Sequence, residues 1–226
     1  MRKKKITSQD NFYFLFLALI TLFFASAAAQ QFNPEGQESV LFMMIVCLAF
    51  SVAGVNKDNK LYRSWYGSLL VLAAISGVFE YFQEARLAVV TLLVLLAFVV
   101  SQTFSALKQV FARKEVELNQ IIGSICVYML MGLAWAIIYL IQMELFVGSF
   151  NGLEDKVWTH NLFEALYFSF ITLTTVGYGD ISPALPVPKF FVFMESIIGS
   201  FYVAILVASL VSSRLSQSEK KQSVKG

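Results

Sequence analysis

Charge is scarce in this 226-residue chain: 14% of residues are charged against 58% apolar, and mean hydropathy is +0.68. Soluble domains carry about a quarter charged residues, so this scarcity excludes an ordinary water-soluble fold and makes lipid the main solvent. Cysteine is almost absent. Cys47 and Cys126 lie inside apolar runs without paired spacing, which argues against a disulfide framework or thiolate metal site and for two small buried hydrophobes. His160 is the sole histidine, so no zinc or catalytic histidine cluster can form within one chain. No Ser-His, Cys-His, phosphate-loop or metal-ligand spacing stands out, and neither an enzyme, a cofactor nor a nucleic acid partner is expected.

What is present is a series of long apolar runs, at about 12–29, 40–55, 61–79, 87–104, 121–147 and 188–211. A membrane-spanning helix takes about 20 such residues, so five runs qualify and 40–55 needs polar flanks. A shorter run, 161–173, cannot span and fits only a re-entrant helix. With the N-terminus inside, fourteen of the 17 basic residues fall on inner segments; only Arg86, Lys156 and Lys189 lie outside. That bias orients six crossings with both termini cytoplasmic, in the cell membrane.

Two segments leave alternatives open. The start, "MRKKK" followed by an apolar stretch and "ASAAAQ", also describes a secretory signal peptide; the reading taken is a retained first helix. Between the fourth and fifth runs, "SALKQVFARKEVELNQ" suits either a helix on the inner membrane surface or a cytoplasmic extension of the fourth helix.

The stretch "TTVGYGD", Thr174–Asp180, follows the re-entrant run and precedes the last helix. Non-helical backbone at membrane depth is tolerated only when buried in protein or lining a watery path. Carbonyls aimed one way and ringed by copies from other subunits replace the hydration shell of a cation. Gly177 and Gly179 permit the angles that such aiming needs. Val176 is expected to point away from the axis and wedge against the short helix, with the Thr175 hydroxyl adding an oxygen at the inner end. The negative C-terminal end of the short helix would face the membrane centre, where a cation is least stable.

This stretch resembles the selectivity filter of potassium channels. The resemblance covers Asn119 to about Leu215, and Thr174, Thr175, Val176, Gly177, Tyr178, Gly179 and Asp180 match the family motif without a gap. It implies an all-α membrane protein and a homotetramer around one pore, with K+ held by the carbonyls of Thr175, Val176, Gly177 and Tyr178 and by the Thr175 hydroxyl. A peripheral four-helix domain, 1–118 with its linker 105–118, would precede a pore domain, 119–226. Gly199 sits where relatives often carry a hinge glycine. Ser200, Val203, Val207 and Val211 follow on one helical face as candidate pore lining; close helix packing is the alternative for Gly199. Two positions depart from the pattern. Phe168 stands where many relatives have a Trp bonded to the motif's Asp and has no donor, and Ile171 stands where one bacterial type has a carboxylate.

Glu195 lies about two turns inside the last helix, or roughly 10 Å by helical rise. An ionisable group at that depth must face protein or water. It is expected to be protonated, or to share a proton, and to brace the filter with Thr172 or Ser169 as partner; the alternative is a structural inter-helix bond without effect on conduction.

The chain from Leu87 to Leu107 holds no charged residue, so the row of basic residues that a voltage sensor needs is missing. The leading reading is a potassium-selective channel with lipid and K+ as its partners. The alternatives are a weakly selective cation channel and a non-conducting subunit whose first four helices bind an unidentified membrane partner.

Overall fold

The computed structural model describes residues 12–32, 67, 71, 86–112, 118–154 and 156–223. Apart from residues 67 and 71, the expected helices 40–55 and 61–79 lie outside the described residues, as does Cys47. Five helices are described: α1 (Phe12–Phe32), α2 (Arg86–Ala112), α3 (Leu118–Leu145), α4 (Trp158–Leu173) and α5 (Pro186–Ser223). Two short strands, β1 (Phe150–Asn151) and β2 (Ser182–Pro183), pair antiparallel. Four of the helices are long and apolar enough to cross a membrane: Phe12–Phe32, Ala88–Phe111, Leu118–Leu145 and Pro186–Ser209. The protein is therefore a mostly helical, multi-pass membrane protein.

Most helix ends lie beyond the apolar runs; the exception is α3, which starts early at Leu118 but ends at Leu145 rather than 147. Helix α2 continues past residue 104 to Ala112, which favours the extension over a separate surface helix for the first part of the linker. Helix α4 starts at Trp158 rather than 161, and α5 continues to Ser223 rather than 211. Backbone hydrogen bonding continues into polar sequence, whereas hydropathy marks only the part in lipid.

Helix α3 is the hub, and α1, α2 and α4 all pack on it. Its buried residues Cys126, Leu130, Leu133 and Ile137 recur every three or four positions, the spacing of one helical face. Cys126 is a packed side chain near the Phe12 carbonyl, as a small hydrophobe would be. On α1 the buried residues Phe12, Leu15, Leu19, Leu22 and Ser26 alternate in threes and fours, so that one stripe faces protein and the rest is left for lipid. Tyr13, Phe14, Leu17 and Phe24 occupy that exposed side. Within α2 the charged residues are Arg86 and Lys108, at the two ends.

Helix α4 is short, begins near Glu144 at the end of α3, and ends where the Thr174–Asp180 stretch begins. Its first turn is capped from outside. Val157 supplies no cap, and the Trp158 N–H donates to the Glu144 carboxylate at 3.1 Å. A carboxylate at a helix N-terminus meets the positive end of the dipole, worth about 0.3–1 kcal/mol.

Candidate functional site

From Thr174 the chain leaves the helix but stays tied to it. The N–H of Thr174 donates to the Phe170 carbonyl at 3.0 Å and that of Thr175 to Thr172 at 3.0 Å. Those of Val176 and Gly177 share the Ile171 carbonyl, at 2.8 and 3.1 Å. The free carbonyls that end any helix are thus used to hold the stretch. The Leu173 carbonyl accepts from the Tyr128 hydroxyl of α3 at 3.0 Å.

The backbone angles alternate. Thr175, Gly177 and Gly179 have φ of 61°, 55° and 84°, while Val176 and Tyr178 stay out of the left-handed region. Alternation of this kind turns successive N–H groups to one side and carbonyls to the other. Here the N–H side faces α4. Among the described residues, no hydrogen bond ends on the carbonyls of Thr175 to Tyr178. A β-branched residue held at φ 61° is strained, and such strain persists only where surrounding contacts over-determine it.

Behind the stretch lies an apolar cluster with one polar clasp. Phe168 is buried with Tyr139, Phe150, Ile171 and Ile181. The Tyr139, Phe150 and Phe168 rings lie 5.3 to 5.7 Å apart in edge or tilted contacts, each worth about 0.5–1.5 kcal/mol beyond area burial. Glu195 on α5 is fully buried. Its Oε2 accepts from the Tyr139 hydroxyl of α3 and its Oε1 lies 2.6 Å from the Ser169 hydroxyl of α4. Ser169 Oγ also lies 2.8 Å from the Gly132 carbonyl. Three helices meet on one carboxyl group.

Residues 124–213 match the family model described as "Ion channel". Two pore potassium channel c of Oryza sativa subsp. japonica is 48% identical over 54 residues, covering 24% of this chain and 12% of that protein. Two-pore potassium channel 2 of Arabidopsis thaliana is 32% identical over 94 residues, 42% of this chain and 19% of that protein. Residues 124–213 are thus similar to an ion channel domain, and the relatives matched are named as potassium channels. The matched model and the named relatives are channels, not enzymes. The matched part of the chain spans less than a fifth of the length of these relatives.

Within this matched segment, the expected filter residues Thr174 to Asp180 lie together in one extended, exposed stretch. In the single chain Val176 is 50% exposed and Tyr178 is 72% exposed. The N–H groups of Thr174 to Gly177 anchor the stretch to α4. Of the two partners expected for Glu195, Ser169 is bonded and Thr172 is not. Gly199 is buried in an unbroken α5, where an added Cβ would lie 2.9 Å from the Leu173 carbonyl oxygen, so its observed role is close approach. Ser200, Val203 and Val207 lie on α5 and are exposed in the single chain; the Val211 side chain lies outside the described residues.

Three contributors are not apparent from the sequence patterns above. Tyr139 completes the clasp, Glu144 caps α4, and Tyr167 donates to Asp180 Oδ2 at 2.7 Å. The donor that Phe168 lacks is therefore supplied by its neighbour. Glu144 carries no local signal, since it stands 14 residues before Trp158. Tyr167 is detectable as the adjacent aromatic with a hydroxyl.

Tyr167 also sets the acidity of the filter's end. Its hydroxyl holds the Asp180 carboxyl below the usual carboxylate range. The group's folded pKa is depressed, so its contribution is present above the unfolded pKa and lost as pH falls through the folded one. Tyr167→Phe removes the donor. Protonation of the Asp180 carboxyl, followed by its carboxyl NMR signal, should then set in at a higher pH than in the wild type; an unchanged midpoint would show that this bond does not matter.

Proposed function

We propose that this chain is one subunit of a potassium-selective channel, in which four copies surround a single pore and K+ passes down its gradient. The alternation of left-handed angles at Thr175, Gly177 and Gly179 carries this reading, because it aims a run of unused carbonyls to one side. K+ would be held by the carbonyls of Thr175, Val176, Gly177 and Tyr178 and by the Thr175 hydroxyl, with Gly179 closing the run. Thr174, Asp180, Phe168 and Glu195 would support it from behind. The names of the relatives, potassium channels, support the choice of ion.

The need for further copies is supported by what one chain leaves bare. Tyr178, Phe190, Phe193, Phe201 and Ile205 are half exposed or more. Of the most apolar part of α5, 11% is buried, against 56% for α3. A tetramer would place α5 against its neighbours and let Ser200, Val203, Val207 and Val211 line the inner cavity. The four-helix domain 1–118 and pore domain 119–226, six crossings in all, would leave both termini in the cytoplasm. The basic residues support that orientation.

Reversal potentials in planar bilayers with potassium on one side and sodium on the other test the reading. A shift to near the potassium equilibrium potential is expected. A potential near zero would point to a weakly selective cation channel, and an absence of current to a non-conducting subunit. A second expectation concerns voltage. Each charge crossing the field supplies about 2.3 kcal/mol per 100 mV, and the interior of α2 carries none. Open probability should change little between negative and positive potentials. Steep activation that is lost on neutralising Arg86 would contradict this.

A further inference from the structure

The filter's outer end is held from a second side, by the loop between α3 and α4. Gly152 in that loop has φ 82°, and an added Cβ would lie 2.2 Å from the Asp180 carbonyl oxygen and 3.3 Å from Ile181 Cα. Backbone thus rests directly on backbone. On one side of this contact, β1 pairs with β2 just after the filter, Phe150 opposite Pro183 and Asn151 opposite Ser182. The Ala184 N–H donates to the Ser149 carbonyl at 2.8 Å, and Asn151 Nδ2 donates to Ser182 Oγ at 3.3 Å.

The loop is anchored at both ends. Ser149 Oγ donates to the Gln142 carbonyl of α3 at 3.0 Å. On the far side, Asn161 Nδ2 of α4 donates to the Glu154 carbonyl at 2.9 Å. Phe150 drives its ring into the aromatic cluster beside Phe168. Asp180 is therefore gripped twice: Tyr167 bonds its carboxylate, and Gly152 covers its carbonyl.

We propose that residues 149–153 form a positioning strap for the filter exit, with Gly152 as the positioning residue. The inference rests on the channel reading above. The N–H groups of Val176 and Gly177 are tied to the Ile171 carbonyl, whereas among the described residues those of Tyr178 and Gly179 make no hydrogen bond. At the exit the backbone is therefore held through Asp180. Pressing on its peptide group from outside keeps the last carbonyls facing the ion; lifting the strap lets the exit collapse.

Gly148 supplies a matched control. Its φ is 71°, close to that of Gly152, but nothing lies within 4 Å of an added Cβ. Alanine at either position meets a left-handed angle, whereas only Gly152→Ala pushes on the filter. In single-channel recordings at low external potassium, Gly152→Ala should shorten the mean open time about tenfold, the order that an overpacked contact gives when Asp180 must shift to relieve it. High external potassium, by occupying the exit, should restore much of it; Gly148→Ala should behave as wild type. A merely structural loop would not respond to the external ion.

The double variant Asn151→Ala with Ser182→Ala inserts no bulk and decides the matter if Gly152→Ala does not assemble. It removes one hydrogen bond of the strap and should shorten openings roughly threefold, again with relief by external potassium. Wild-type openings in both Gly152→Ala and the double variant would overturn the strap while leaving the channel reading intact. So would an equal effect from Gly148→Ala. Silence from the wild type itself would overturn the channel reading, and the strap with it.

Discussion

Gly177→Ala is expected to abolish potassium flux while the protein still assembles in the membrane. Gly177 has φ 55°, and an added Cβ would meet no atom within 4 Å in the single chain. The cost is therefore one of backbone angle rather than of collision. A left-handed angle costs an L-residue about 1–2 kcal/mol. In the proposed tetramer four copies raise this to roughly 4–8 kcal/mol, since such a filter would conduct only with all four strands aligned. At about 1.4 kcal/mol per factor of ten, the conducting arrangement falls a thousandfold or more. Folding of the helices is unaffected, because the filter N–H groups remain tied to α4. Flux and native-gel mobility measured on the same preparation separate the two effects. Wild-type flux from an assembled variant would remove the filter from the account.

Glu195→Ala and Glu195→Gln should behave oppositely. Ser169 has one hydroxyl proton and two acceptors within reach, the Gly132 carbonyl at 2.8 Å and Glu195 Oε1 at 2.6 Å. A proton on Glu195 completes the chain: Oε1 donates to Ser169, Ser169 donates to Gly132, and Oε2 accepts from Tyr139. Glutamine reproduces that arrangement, its amide donating to Ser169 and its oxygen accepting from Tyr139. Conduction within about twofold of the wild type is expected, since no partner is lost. Alanine leaves the Tyr139 hydroxyl without an acceptor in a buried site, at about 1–3 kcal/mol per subunit, and opens a cavity between three helices. The alanine variant should lose both flux and heat resistance of the assembly. If alanine matches the wild type in recordings and melting, Glu195 is no brace. If glutamine fails as badly as alanine, the carboxylate acts in its charged form.

How much of this is legible in the sequence depends on how local each feature is. The filter is seven consecutive residues, and its glycines announce their angles. Glu195 stands out because a carboxyl group is rare at that depth, and Ser169 is a natural candidate for its partner. Tyr139 is not readable: it lies 56 residues away on another helix, and only the way α3 meets α4 and α5 brings it near. Tyr167 is readable only by looking one residue before Phe168, the position to which the family pattern draws attention. Gly152 looks like any loop glycine, since the demand on it comes from the carbonyl of Asp180. Helix ends are misjudged where polar residues continue a helix beyond the membrane, as at Ser212 to Ser223. Sequence reports lipid contact and local turns well; it does not report which distant backbone a residue touches.

The most direct test of the central claim is potassium flux into liposomes holding the purified full chain, with sodium as the competing ion. The account predicts rapid uptake of labelled potassium that excess sodium barely reduces, and loss of that uptake in Gly177→Ala. Protein that is assembled in the bilayer but carries no potassium, or carries sodium equally well, would contradict it.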